Sequence, residues 1–468
     1  MRLLDTTTFE LRLDSQEFFQ AEGYAILSHR WVGAEITFDE IAHHAPSLRE
    51  AGSQRLTKSP QLDKIRGACE VARAQGLRWL WIDSCCINKA SATEEAESIN
   101  SMFGWYRGAR VCITYLSDVR SGASAEPPAY QAVESSAKKE VPSTGQASDP
   151  IFRRADSNAP SEWFFRGWTL QELLAPRDMD FYDADWKPIG NKASLAAQIR
   201  HITGIDADYL TGARDFRRAC IATKMSWTAG RTTTRAEDAA YSLLGLFGIM
   251  MPPQYGEGGP RAFLRLQHQL LSTTADESIF AWRMPAPDAG MRYDVERNPD
   301  TSFGAGEWGL LAPSPEWFRG CGNVTIEGGP AIHRPARSFE VNRQGLQVPV
   351  MQYHGNGITK YKLILLFSPL LCIGAIPVFI YVRKKLMEIA EQGVPFALNC
   401  WSTEGGEPSA AISVYLSQLP QTMKTNVGIT EYKFKRVRCS ELPLSRKYAV
   451  RGAEGEVLVL QPELRFGN

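Results

Sequence analysis

The sequence predicts an α/β protein in three parts: an N-terminal parallel sheet covered by helices, a helical segment, and a β-rich C-terminal domain. Three observations carry this. Through residues 1–118 short apolar runs alternate with amphipathic helical patterns, the order of a parallel sheet with helical crossovers. Residues 190–275 carry helical periodicity almost throughout. From about 276 the text changes to short β-type runs bounded by turn residues. At 468 residues the chain exceeds one ordinary core, and the divisions read as 1–189, 190–275 and 276–468.

The first strand is "YAIL" (24–27), which runs into Ser28, His29, Arg30 and Trp31; "TFDEIAHH" then starts a short helix. A helix is predicted over 59–75, with Ser59 as N-cap, Pro60 at the first helical position and Leu62, Ile65, Cys69 and Ala72 on one face. "RWLWID" (78–83) reads as the second strand, residues 91–109 as a helix with Ile99, Met102, Phe103 and Tyr106 inward, and "VCITYL" (111–116) as the third strand.

Residues 119–160 are rich in Ser, Ala and Pro and poor in large apolar side chains. Such a segment buries too little surface to offset its ordering entropy, so a flexible insertion is expected there. "SEWFFRGWTLQELLAP" (161–176) reads as one core-packing helix stopped by Pro176, and "DMDFYDADW" (178–186) as a further strand. Residues 232–249 and 259–272 read as helices joined by a Pro/Gly turn. "SIFAW", "SFEVNRQGLQVPVMQY", "VPFALNCW", "AAISVYLS" and "EVLVL" are expected as strands of a separate antiparallel domain.

Lys+Arg and Asp+Glu are both 52, which argues against a strongly basic nucleic-acid binder. Nine cysteines without a repeated CxxC spacing read as reduced thiols of a cytoplasmic protein. "MRLLDTTTFE" has no apolar signal-peptide core. Zinc-finger spacing, a P-loop, GxSxG and HExxH are all missing from the sequence, and no metal site is expected.

Residues 363–382 are twenty positions without a charge, between Lys362 and Arg383–Lys385. Length and flanks meet the requirement for a membrane span. β-type text stands on both sides, and Pro369 and Pro377 interrupt the run. A membrane anchor, a buried segment and a translated intron all remain open readings.

The chemistry is expected at the strand ends. In open α/β sheets ligands sit beyond the carboxyl ends of the strands. The strands here end in Ser28-His29-Arg30-Trp31, Asp83-Ser84, Ser117-Asp118 and Asp183. If the strands are parallel, these groups share one rim, with Arg30 suited to phosphate and Trp31 to stacking. The opposing expectation is that polar residues end strands because chains leave for solvent there. Glu94 opens the helix after the second strand; Ser91-x-x-Glu94 also fits a capping box. Cys85 borders an apolar strand and reads as a buried thiol rather than a nucleophile.

"YAILSHRW", "LRWLWIDSCCINK", "INSMFGWYRGARVCITYLSDV" and "WFFRGWTLQELLAP", in this order, resemble the fungal heterokaryon-incompatibility (HET) domain over about residues 24–176. Residues 235–270 resemble the helical segment that commonly follows it. The resemblance implies non-self recognition that triggers regulated fungal cell death. It also implies remote kinship with Toll/interleukin-receptor (TIR) domains, hence a TIR-like or flavodoxin-like sheet. Some TIR domains cleave NAD with a glutamate on a helix flanking the rim, for which Glu94 is the nearest positional candidate, although its surroundings do not reproduce the TIR motif. Three readings follow. The first is an incompatibility signalling module working through other incompatibility or sensor proteins, or as a homo-oligomer. The second is a TIR-like NAD-cleaving hydrolase, with Glu94 and Asp83 as catalytic carboxylates and Ser28, His29, Arg30, Trp31 and Asp118 holding NAD or a related nucleotide. The third is a membrane-acting toxin using 363–382.

Overall fold

The computed structural model describes residues 1–42, 59–120, 151–285 and 308–326, together with strand segments between 340 and 459. The central part of the expected insertion, 121–150, and the apolar run 363–382 lie outside the described residues. Contacts divide the chain into two compact units, Met1–Arg218 with Arg231–Pro253, and Ala219–Gly230 with Gln254–Asn468.

The first unit is built on a seven-stranded sheet. Its strands are β1 (Arg2–Asp5), β2 (Leu11–Leu13), β3 (Tyr24–His29), β4 (Trp79–Trp81), β5 (Val111–Tyr115), β6 (Met179–Tyr182) and β7 (Pro188–Asn191). Their spatial order is β2-β1-β4-β3-β5-β6-β7. The inner pairs β4·β3, β3·β5 and β5·β6 are parallel, as the alternating strand–helix text predicts. The edges are antiparallel: β1 and β2 form an N-terminal hairpin against β4, and β7 folds back on β6. All six residues of β3 are buried, which explains why its sequence is continuous rather than alternating.

Helix α1 spans Gln16–Glu22, α2 Pro60–Ala74, α3 Ala92–Gly108 and α4 Thr169–Leu174. The Ser59 and Ser91 hydroxyls cap α2 and α3, accepting from the Leu62 and Glu94 amides. On the inner face of α3, Trp105 and Tyr106 meet Trp81 of β4, with ring centroids 5.5 and 5.8 Å apart.

The single helix expected over 161–176 is instead a 3-10 turn, Glu162–Phe165, followed by α4. Arg166 is extended, and the Gly167 amide leaves the helix to donate to Thr232 O at 2.9 Å. A Cβ at Gly167 would stand 2.5 Å from Thr233 Cγ2, so the close strand-like approach requires glycine. The helix expected over 232–249 is likewise broken into Asp238–Tyr241 and Leu244–Phe247.

In the second unit a long helix spans Gly259–Thr273. "SIFAW" is a 3-10 turn rather than a strand, because Asp276 caps it by accepting from the Ser278 amide. Val394–Glu404 and Glu407–Gln418 pair antiparallel, and Gly345–Gln352 pairs antiparallel with Glu454–Val459. One parallel pairing, Lys433–Val437 against Glu454–Val459, departs from the expected antiparallel pattern. Among the described residues eight cysteines are free and buried, and no helix is long and apolar enough to cross a membrane.

Candidate functional site

The parallel strands β3, β4, β5 and β6, taken as first to fourth, stand in the spatial order 2-1-3-4. The order reverses between β3 and β5, where a doubly wound sheet opens its crevice. Ser28 and His29 close β3 in register with Thr114 and Tyr115 of β5. Beyond that edge lies a cavity of about 410 Å³, lined among others by Arg30, Glu35, Lys64, Tyr115, Arg120 and Trp186.

Trp186 forms one wall. Its ring stacks on Tyr115 at 4.6 Å and 25°. Its backbone has φ 60°, a left-handed conformation unusual for an aromatic residue. The turn holds it there: the Asp183 carboxylate accepts from the Asp185 and Lys187 amides, each at 2.9 Å, and Trp186 N donates to Asp183 O at 3.0 Å. The indole lies directly over α2, where a Cβ on Gly67 would stand 2.1 Å from its nitrogen.

A second wall comes from the first turns of α2. Lys64 Nζ pairs with Glu35 Oε2 at 2.5 Å, both side chains buried. Glu35 Oε1 accepts from Val32 N at 3.0 Å, and Gln61 Nε2 donates to Val32 O at 3.2 Å. The segment after β3 is thereby fastened to α2, and the buried ion pair is tolerable because the carboxylate is doubly engaged.

Behind this wall sits His29. Its Nε2 is 3.6 Å from Asp83 Oδ1 and 4.0 Å from Glu35 Oε2. Neither distance closes a hydrogen bond, and both ring nitrogens lack a protein partner. Burial, reinforced by the Lys64 charge, pushes His29 down to about 3 against the pull of Glu35, so the imidazole is neutral. The other Asp83 oxygen accepts from Trp31 Nε1 at 2.9 Å. The Lys89 ammonium lies 3.6 Å from the centroid of the Trp31 ring and covers that face.

Ser28 is sealed inside the fold. Its hydroxyl donates to Glu172 Oε2 at 2.5 Å and accepts from Trp163 Nε1 at 2.9 Å. Burial raises Glu172 to about 8 against the opposing Ser28 and Tyr106 hydrogen bonds, so this carboxyl is neutral at neutral pH. The Tyr106 hydroxyl beside it donates to Leu27 O at 3.1 Å.

Of the residues singled out from the sequence, Arg30 lines the cavity. Its Nη1 pairs with Glu162 Oε2 at 2.8 Å, while its buried Nε has no protein partner. Ser28 and His29 end the strand that leads to the cavity, with Asp83 and Trp31 next to His29. Asp118 accepts from Ser161 Oγ at 2.7 Å and from Glu162 N at 2.8 Å, which ties the chain beyond β5 to the turn after the insertion. Glu94 meets Arg2 Nη1 at 2.5 Å and accepts from Asn88 N at 2.9 Å. Partial burial works upward on this carboxyl, and the Arg2 and Asn88 bonds outweigh it, leaving it below its usual range. Half of the expected capping box forms: Ser91 caps the Glu94 amide at 3.3 Å, but Glu94 closes on Asn88 rather than on Ser91.

Glu35, Lys64, Tyr115, Arg120 and Trp186 were missed by sequence reasoning. Two signals pointed toward them. Gly67 interrupts an otherwise periodic helix, which costs about 1 kcal/mol unless something packs against it. Trp186 follows a strand inside a polar turn, where a large ring has no core to enter.

Residues 24–172 match the family described as heterokaryon incompatibility protein (HET). Residues 261–360 match a domain of unknown function (DUF8212). The chain is 36% identical over 296 residues to the vegetative incompatibility protein HET-E-1 of Podospora anserina. That alignment covers 63% of this chain but 19% of the relative, so the chain spans about a fifth of that protein's length. No solved structure matches the chain. The residues that build β3, β4 and β5 and most of the cavity wall fall within the matched span, so the chain carries a HET domain there.

Proposed function

We propose that this chain is a signalling component of fungal vegetative incompatibility, whose HET domain triggers regulated cell death on non-self recognition. The observation that carries the reading is the 296-residue match to a vegetative incompatibility protein, which is longer than the 24–172 span of the HET domain alone. The geometry favours the signalling reading over the alternative of a hydrolase. Asp83, Asp118 and Glu94 are each engaged in bonds that hold loops and helix ends together. A carboxylate fixed in this way is less available to a substrate.

The test is inducible expression of the full chain in a filamentous fungus, with dye uptake and colony survival as readouts. Induced cells are expected to lose viability while an empty vector has no effect. Normal growth with soluble chain present would overturn the proposal. Measuring cellular NAD in the same cultures separates the routes: death without NAD loss supports contact-driven signalling, and NAD loss preceding death overturns it in favour of hydrolysis.

A further inference from the structure

The geometry points to a binding site for a nucleoside phosphate in the cavity between Arg30, Arg120, Tyr115 and Trp186. This goes beyond the signalling reading and stands on the cavity alone.

A volume of about 410 Å³ falls within the roughly 300–1,000 Å³ typical of small-molecule sites. The position is the reversal point of the strand order, where such sheets receive ligands. The lining then selects the ligand chemistry. Of the three cations, Lys64 is neutralised at contact by Glu35. The guanidiniums of Arg30 and Arg120 are each held by one carboxylate, Glu162 at 2.8 Å and Asp185 at 2.5 Å. A guanidinium has five donors, so one carboxylate does not exhaust it. Two planar forks at one cavity suit phosphate oxygens. The acid not consumed by a lysine, Asp63, has a side chain 64% exposed and an arginine 3.6 Å away.

The aromatic half is equally definite. Tyr115 and Trp186 already form a stack, and both rings line the cavity. Both rings are only partly buried, so the cavity offers aromatic surface against which a flat base can pack. Trp31, the residue singled out for stacking from the sequence, has one face under the Lys89 ammonium. The fold also maintains the Trp186 wall against strain: its left-handed backbone is pinned by Asp183, and its ring is admitted by a glycine in α2. Guanidinium forks and aromatic rings around one cavity describe one ligand carrying both a phosphate and a flat base.

The experiment is titration calorimetry on the full chain with ADP, GDP, CDP and UDP, and with inorganic pyrophosphate and adenosine as half-ligands. At least one diphosphate is expected to bind saturably at one site per chain, more tightly than either half-ligand. Trp186→Gly, which relieves the left-handed backbone, is expected to weaken the nucleotide roughly tenfold and leave pyrophosphate unchanged. Arg120→Gln, at an exposed position, is expected to weaken both by roughly tenfold. Failure of all four nucleotides to bind would overturn the proposal. So would pyrophosphate binding as tightly as the best nucleotide, or binding that both variants leave unchanged. Each outcome is read on purified protein and is independent of whether the chain kills cells.

Discussion

Replacing Glu172 with glutamine should remove a pH dependence that the wild-type fold carries at its centre. The Glu172 carboxyl is buried against Ser28, Trp163 and Tyr106, and burial raises it to about 8. In the unfolded chain the same group titrates near 4.3. Between these values the folded state keeps a proton that the unfolded state has released. Stability therefore falls as pH rises, by about 1.4 kcal/mol per pH unit across that window. From pH 5.5 to 7.5 this amounts to roughly 2–3 kcal/mol. Glutamine matches the shape, keeps an acceptor for the Ser28 hydroxyl and offers its amide to the Tyr106 oxygen, yet stays neutral throughout. Urea unfolding followed by intrinsic fluorescence at both pH values measures the difference. Contributions from the second unit and from other titrating groups cancel between the two proteins. The variant is expected to gain roughly 2–3 kcal/mol relative to wild type on moving to pH 7.5. A difference that stays constant between the two pH values would refute the buried neutral carboxyl.

Three other substitutions probe the remaining parts of the site. His29 behaves in the opposite sense: it is held down to about 3, so the unfolded state takes up a proton below about 6.5 that the folded state refuses, and stability is lost as pH falls. His29→Leu is expected to flatten that acid limb by about 1.4 kcal/mol per pH unit between pH 6 and 4; an unchanged limb would contradict a neutral imidazole. Gly67→Ala places a Cβ against the Trp186 ring, and the expected net loss is about 1–2 kcal/mol with a shift in tryptophan emission, overpacking outweighing the helix gain of alanine; a more stable variant would show that the ring does not press on the helix. Glu94→Ala breaks the Arg2 pair and should cost about 1–2 kcal/mol in a urea melt while leaving killing intact at matched soluble levels; loss of killing without loss of stability would return a chemical role to Glu94.

The parallel centre of the fold was legible because β3, β4 and β5 are continuous apolar runs separated by helices with ordinary caps. Ser59 and Pro60 mark the start of α2 in the sequence and in the structure alike. The antiparallel edges were not legible: β1 and β2 are four and three residues long, too short to show a period. The break at Gly167 is not legible in the sequence because tertiary pairing with Thr232 overrides a local pattern that reads as helical. The rim was predicted by topology, and Arg30 follows from it. Its working wall was not, since Trp186 reaches the cavity through a strained turn and Glu35 through an ion pair with a helix distant in sequence. Ser28 illustrates the converse: a polar residue at a strand end can belong to the core when a buried carboxyl and an indole satisfy it.

We propose that the cavity at the strand-order reversal is also the part of the HET domain through which the proposed killing acts. The most direct measurement is fungal survival after induction of the Arg30→Gln/Arg120→Gln double variant beside wild type, at equal soluble protein. Wild type is expected to kill and the double variant to leave the fungus viable. Killing by the double variant at the wild-type rate would contradict the proposal.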